Sequence, residues 1–182
     1  MNVIETTLPG VLVLEPRVFE DERGFFMESW NARVFREATG VELDFVQDNH
    51  SRSRRGVLRG LHYQIEQPQG KLVRVASGEV LDVAVDLRRA SPHFGRWTSV
   101  VLSAENRRQV WVPPGFAHGF VVRSDWADFL YKTTDFRYAQ FERALRWDDP
   151  SVAVDWQLGG TAPLLAAKDA AAPLLGQAEP FF

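Results

Sequence analysis

The chain has 182 residues, 45 % of them hydrophobic and 25 % charged, and a net charge of −3. That is enough to bury an ordinary core without a disulfide or metal staple, while the acidic balance argues against a general nucleic-acid binder. No apolar run approaches the roughly 18 residues of a membrane span, and the absence of cysteine and of a basic, then apolar, start in MNVIETTLPG makes a cytoplasmic protein the expectation.

No fixed-period repeat or low-complexity linker divides the chain, so residues 1–182 are expected to form one domain. Taken in order, apolar alternation predicts strands at Val11–Leu14, Gly24–Trp30, Gly56–Gln64, Lys71–Val75, Val80–Asp86, Trp97–Leu102, Gln109–Val112, Gly119–Val122 and Ala127–Lys132. Turn residues separate most of them, as in Asp21-Glu22-Arg23-Gly24, Ser77-Gly78-Glu79 and Pro113-Pro114-Gly115. Helix is expected only at Asn31–Thr39, which opens on a capping asparagine and stops at Gly40, and as one or two turns within Pro163–Leu175. Many short strands over one core predict an all-β, double-sheet jelly roll of the cupin kind with a few short helices.

In such a fold, polar side chains on an inward strand face mark a candidate site. Strict alternation puts His62 and Gln64 on one face with Leu58 and puts Arg59 on the other. Gly60 is where a bulge would let Arg59 and His62 reach one cavity, so a break in register is expected there. After Pro113-Pro114-Gly115, Phe116, His118, Phe120 and Val122 share a face, and Tyr131 sits between Phe129 and Thr133 on another. Arg52, Arg54, Arg55 and Arg59 form a basic cluster that fits either a compact anion or a solvated loop.

Metal chemistry and nucleophilic hydrolysis both lack their residues. The Pro-x-Gly-x-x-His spacing at 113–118 matches one metal-binding segment of metal cupins, but His62-Tyr63-Gln64 lacks the second imidazole of the other, so no metal is expected. There is no cysteine, no Gly-x-Ser-x-Gly elbow and no phosphate-cradling glycine loop.

Four stretches in register carry a resemblance: Phe45–Ser53 (FVQDNHSRS), Gly56–Gln64 (GVLRGLHYQ), Gln69–Val75 (QGKLVRV) and Val112–Phe120 (VPPGFAHGF). They closely resemble the dTDP-4-dehydrorhamnose 3,5-epimerase family, and the likeness runs from about Arg23-Gly24-Phe25-Phe26 to Lys168-Asp169. The resemblance implies a homodimeric, cofactor-free jelly roll acting on a nucleotide sugar. It would invert C3 and C5 of dTDP-4-dehydro-6-deoxy-D-glucose through enolates, giving dTDP-4-dehydro-L-rhamnose. A single-site epimerase at C3 or C5 and a non-catalytic nucleotide-sugar binding module remain as alternatives.

Residue by residue, the resemblance makes His62 the general base, Asp169 its partner, Lys71 the cation at the C4 oxygen and Tyr131 the acid on the opposite face. An imidazole titrating near pH 6.5 in water is largely neutral at pH 7, and an ammonium strengthens its hold as enolate charge grows. Arg23, Glu28, Gln47, Asn49, Arg59, His118, Glu142 and Lys168 match substrate-binding positions, with the Arg59 guanidinium suited to a pyrophosphate. The chain departs from the family pattern at Arg137, which stands where a tyrosine stacks on thymine; Arg137 itself, Phe26 or Tyr138 would take that place. Gln157 also follows Trp156 where the family commonly has proline.

Overall fold

Thirteen strands and two short α-helices are formed by the described residues, 1–179 and 181 of a computed structural model. The first half contains β1 (Asn2–Glu5), β2 (Leu12–Glu15), β3 (Val18–Asp21), β4 (Gly24–Met27), α1 (Ala32–Thr39), β5 (Gln47–Arg54), β6 (Leu58–Gln64), β7 (Lys71–Ser77) and β8 (Glu79–Asp86). The second half adds β9 (Trp97–Ser103), β10 (Gln109–Val112), β11 (Phe116–Val122), β12 (Trp126–Thr133), β13 (Glu142–Ala144) and α2 (Ala167–Ala170).

Two antiparallel sheets pack face to face as a jelly roll. One has the order β1-β2-β10-β7-β12-β5 and the other β13-β6-β11-β8-β9, while β3 and β4 form a separate hairpin. Strand parity explains the packing. On β8, Val80 and Ala84 join Phe116, Phe120 and Val122 of β11 and Val73, Val75 and Phe129 of the facing sheet in the core between the layers. The alternate residues Leu81, Val83, Val85, Ala117 and Val121 point the other way, where the C-terminal chain covers them with Leu145, Val152, Trp156 and Phe181. Both faces of β8 and β11 are therefore buried, which is why apolar residues occupy most positions on both faces of these strands, with Asp82 and His118 as inward exceptions.

The helix forms as its end residues dictate. The Asn31 side chain accepts from the backbone N–H of Arg33 and Val34, and Gly40 closes the helix at φ 70°. Its buried face is Phe35, which meets Trp30, Phe45 and Trp111 with ring centroids 5.3 to 5.7 Å apart. At the other end of the chain, Gln157 has φ 55° and its N–H donates to Asp155 Oδ1 at 2.9 Å. Proline at this position would offer neither that conformation nor that proton.

Register breaks at Gly60, as the sequence requires. His118 of β11 pairs with His62 and Phe120 pairs with Arg59, so three steps along β6 match two along β11. Gly60 has φ 129°, and a Cβ placed on it would stand 2.6 Å from Gly119 Cα and 2.9 Å from the His118 carbonyl oxygen. Gly60→Ala is expected to cost about 3 kcal/mol by urea denaturation, from backbone strain plus overpacking, and to move Arg59 and His62 apart.

Candidate active site

The bulge sends Arg59 and His62 into one cavity of about 570 Å³, lined from both sheets. Of the residues singled out from sequence, His62, Lys71, Tyr131 and Asp169 line it, together with Gln47, Asn49, Arg59, His118, Glu142 and Lys168. Arg23 and Glu28 do not. They belong to the β3–β4 hairpin and its exit: Arg23 is 85 % exposed and paired with Asp21, and Glu28 accepts from Asn31 Nδ2 at 3.0 Å.

His62 stands on the wall formed by β6, and α2 brings Asp169 beneath it. The His62 Nε2 to Asp169 Oδ1 distance is 2.6 Å, with the imidazole 31 % exposed and the carboxylate 2 %. Burial pushes the Asp169 carboxyl up, but the hydrogen bond from His62 and the imidazole's charge outweigh it and hold the group below the usual aspartate range. Asp169 thus fixes the ring through Nε2, and in the neutral tautomer that donates to Asp169 the other nitrogen, Nδ1, is a proton acceptor.

Lys71 reaches across from β7, and its Nζ donates to the His62 carbonyl oxygen at 3.4 Å. Burial lowers its pKa from 10.5 to about 8, opposed by the negative charges of Asp82 and Glu142. Tyr131, on β12, sits in the sheet opposite His62. Burial raises its pKa and Glu142 adds to the rise, while Arg137 and Arg59 pull it back; the net shift is upward, so the phenol is protonated at neutral pH.

The rim is charged. Arg137 holds Glu142 through two hydrogen bonds of 2.7 and 3.0 Å, which keeps the glutamate ionised despite its partial burial. The Arg137 N–H also donates to Gln47 Oε1, and buried Gln64 ties down the same loop by accepting from the Tyr138 N–H and donating to the Phe136 carbonyl. Of the three residues considered for base stacking, Arg137 lines the cavity, whereas Phe26 and Tyr138 do not. In the basic cluster, Arg52 is spent on Asp128 and Arg55 on Asp125, which leaves Arg54 and Arg59 at the cavity.

Sequence reasoning missed Asp82. Its carboxylate lies 2.8 Å from His118 Nε2, below the cavity wall. The available signal was parity: Asp82 shares an inward row with Val80 and Ala84, an unusual place for an acid. Among the described residues, no group of three or more His, Cys, Asp or Glu side chains is arranged to hold a metal ion, and no helix is long and apolar enough to cross a membrane.

What this arrangement supplies is carbon-acid chemistry: an oriented imidazole on one wall, a protonated phenol on the other, and an ammonium between. Known proteins point the same way. The sequence profile of the dTDP-4-dehydrorhamnose 3,5-epimerase family matches residues 5–177. The dTDP-4-dehydrorhamnose 3,5-epimerase of Pseudomonas aeruginosa is 62 % identical over 169 residues, 93 % of each chain. The crystal structure of a dTDP-6-deoxy-D-glucose-3,5-epimerase from Legionella pneumophila, in complex with dTDP-4-keto-L-rhamnose, superimposes with a TM-score of 0.96 at 51 % identity, over 100 % of this chain and 98 % of that one. A 3'-monoepimerase from Streptomyces bikiniensis, in complex with dTDP-quinovose, is more distant, with a TM-score of 0.88 at 33 % identity over 94 % of this chain and 86 % of that one. With its site geometry and with the family profile matched along nearly its whole length, the chain belongs to the dTDP-4-dehydrorhamnose 3,5-epimerase family.

Proposed function

We propose that this enzyme converts dTDP-4-dehydro-6-deoxy-D-glucose to dTDP-4-dehydro-L-rhamnose by inverting C3 and C5. The observation that carries this reading is the meeting of His62, Lys71 and Tyr131 in one cavity, with the imidazole and the phenol on opposite sheets. His62 takes a proton from the carbon beside the C4 ketone, and the bonding pair moves onto the C4 oxygen as an enolate. Lys71 stabilises that oxygen as its charge grows. Tyr131 returns a proton to the opposite face of the same carbon, leaving an inverted centre, an imidazolium and a phenolate, which re-equilibrate through solvent. The second carbon repeats the cycle.

Arg59 and Lys168 are suited to the diphosphate, and Gln47, Asn49, His118 and Glu142 to the rest of the nucleotide sugar. The 3'-monoepimerase among the similar structures supports a second reading, inversion at one carbon only. Proton NMR after turnover in D₂O separates the two. Deuterium is expected at both C3 and C5; label at one carbon alone would establish the single-site reading.

The assembly we infer is a homodimer. The β3–β4 hairpin exposes Phe19, Phe25 and Phe26, the last at 67 %, and carries Arg23 and Glu28 away from this chain's own cavity. A second copy explains both the bare aromatic face and the placement of two residues that match substrate contacts in the family. Light scattering is expected to give twice the chain mass, and Phe26→Asp to shift it towards the monomer; a wild-type monomer would contradict the assembly.

A further inference from the structure

Asp82 is a carboxylate set in a row that otherwise belongs to the core. Val80 and Ala84 flank it on the inner face of β8, and the Asp82 side chain is 2 % exposed. Burying such a group costs several kcal/mol unless it is paired, and folding alone would be served better by an apolar residue. Its hydrogen-bond partner is His118 at 2.8 Å. His118 is the register neighbour of His62, whose carbonyl oxygen receives the Lys71 ammonium. Asp82, His118 and His62 thus lie on successive strands β8, β11 and β6, and Lys71 arrives over that row from the opposite sheet.

We propose that Asp82 is a positioning residue that keeps Lys71 in its charged form and holds His118 in the cavity wall. The inference rests on the role given to Lys71 above. Lys71 is useful to an enolate only as an ammonium, and burial works against that form. The charged and titratable groups lining the same cavity are His50 and Arg54 from β5, Arg59, His62 and Tyr63 from β6, His118 from β11, Tyr131 from β12, Glu142 from β13 with Arg137 beside it, and Lys168 and Asp169 from α2. Of the two carboxylates that favour the ammonium, Glu142 is bound through both oxygens by Arg137, whose positive charge offsets its field. Among the described residues Asp82 has no arginine or lysine bound to it and does not line the cavity itself, so it is the resident counter-charge.

The test measures Lys71 with and without turnover. The protein is reductively methylated with ¹³C-formaldehyde, the Lys71 signal is assigned by its loss in Lys71→Met, and the amine is titrated by NMR beside the pH profile of kcat/KM. Asp82→Asn is expected to lower both the amine midpoint and the alkaline limb by about one pH unit, with Asp82→Glu restoring them. His118→Asn retains the Asp82 charge and is expected to leave the Lys71 midpoint where it was. An unchanged midpoint in Asp82→Asn would overturn the proposal, as would a fall of about one pH unit in His118→Asn, which is read against wild type and so holds even where Asp82→Asn fails to fold. A lowered midpoint in a protein that turns over no 4-keto sugar would sink the functional reading and leave this inference standing.

Discussion

Replacing His62 by alanine is expected to lower kcat by about 10²- to 10⁴-fold, the usual contribution of a positioned general base. The affinity for dTDP is expected to stay within a few-fold of wild type, because Arg59 and Lys168 reach the cavity from other positions. The substitution also strips Asp169 of its close partner. The remaining contact to that carboxylate, from the Gly60 N–H, is 3.5 Å long. A buried carboxylate deprived of its hydrogen bond costs roughly 1–3 kcal/mol. The paired Asp169 has a native pKa below its unfolded value, so its stabilisation is complete above the unfolded pKa and is lost as pH falls through the native one. At pH 7 the full loss should therefore appear in urea denaturation of His62→Ala. His62→Gln, which retains a donor, should recover part of that stability and none of the rate. Similar rates in all three proteins would remove His62 from the chemistry.

Lys71→Met should separate activity from stability. Loss of a cation aimed at the developing enolate is expected to lower kcat by about 10²- to 10³-fold, the scale for removing one oxyanion donor. The folded protein should nevertheless become more stable at neutral pH. The native pKa of about 8 lies below the ordinary lysine value of 10.5, so between those pH values the unfolded chain binds more protons than the native one and stability rises with pH. Below about pH 8 the cost of the buried ammonium is fully present, on the order of 3 kcal/mol. Methionine fills much the same space without charge, so the gain should approach that figure at pH 7 and vanish as pH rises past 10.5. Equal stability of the two proteins at pH 7 would show that the ammonium is not desolvated.

The sequence announced some of these features plainly and concealed others for physical reasons. β8 and β11 were legible because burial on both faces enriched them in Val, Leu, Ala and Phe, and α1 because Asn31 and Gly40 mark its ends with local hydrogen bonds. β5 was not, since Gln47–Arg54 is polar on both faces: Gln47, Asn49 and Ser51 line the cavity, while Asp48, His50 and Arg52 pair with Lys132 and Asp128 of β12. Alternation fails where tertiary partners satisfy the polar groups. The conflict of parity in GVLRGLHYQ was informative because it had one physical resolution, and Gly60 supplies it. Asp169 was assigned to His62 only through the resemblance, because it is the return of the C-terminal chain across β6 that buries it under His62. The motif match at Arg23 and Glu28 did not reveal that both stand at the β3–β4 hairpin and its exit, away from this chain's own cavity.

The central claim is that proton removal belongs to one wall of the cavity and proton delivery to the other. The most direct test is to incubate His62→Ala and Tyr131→Phe with dTDP-4-dehydro-6-deoxy-D-glucose in D₂O and follow deuterium incorporation and configuration together by NMR. Tyr131→Phe should exchange the C3 and C5 hydrogens without inverting them, since the imidazole can return a deuteron to the face it deprotonated, and His62→Ala should do neither. Exchange at the wild-type rate in His62→Ala, or inversion at that rate in Tyr131→Phe, would contradict the account.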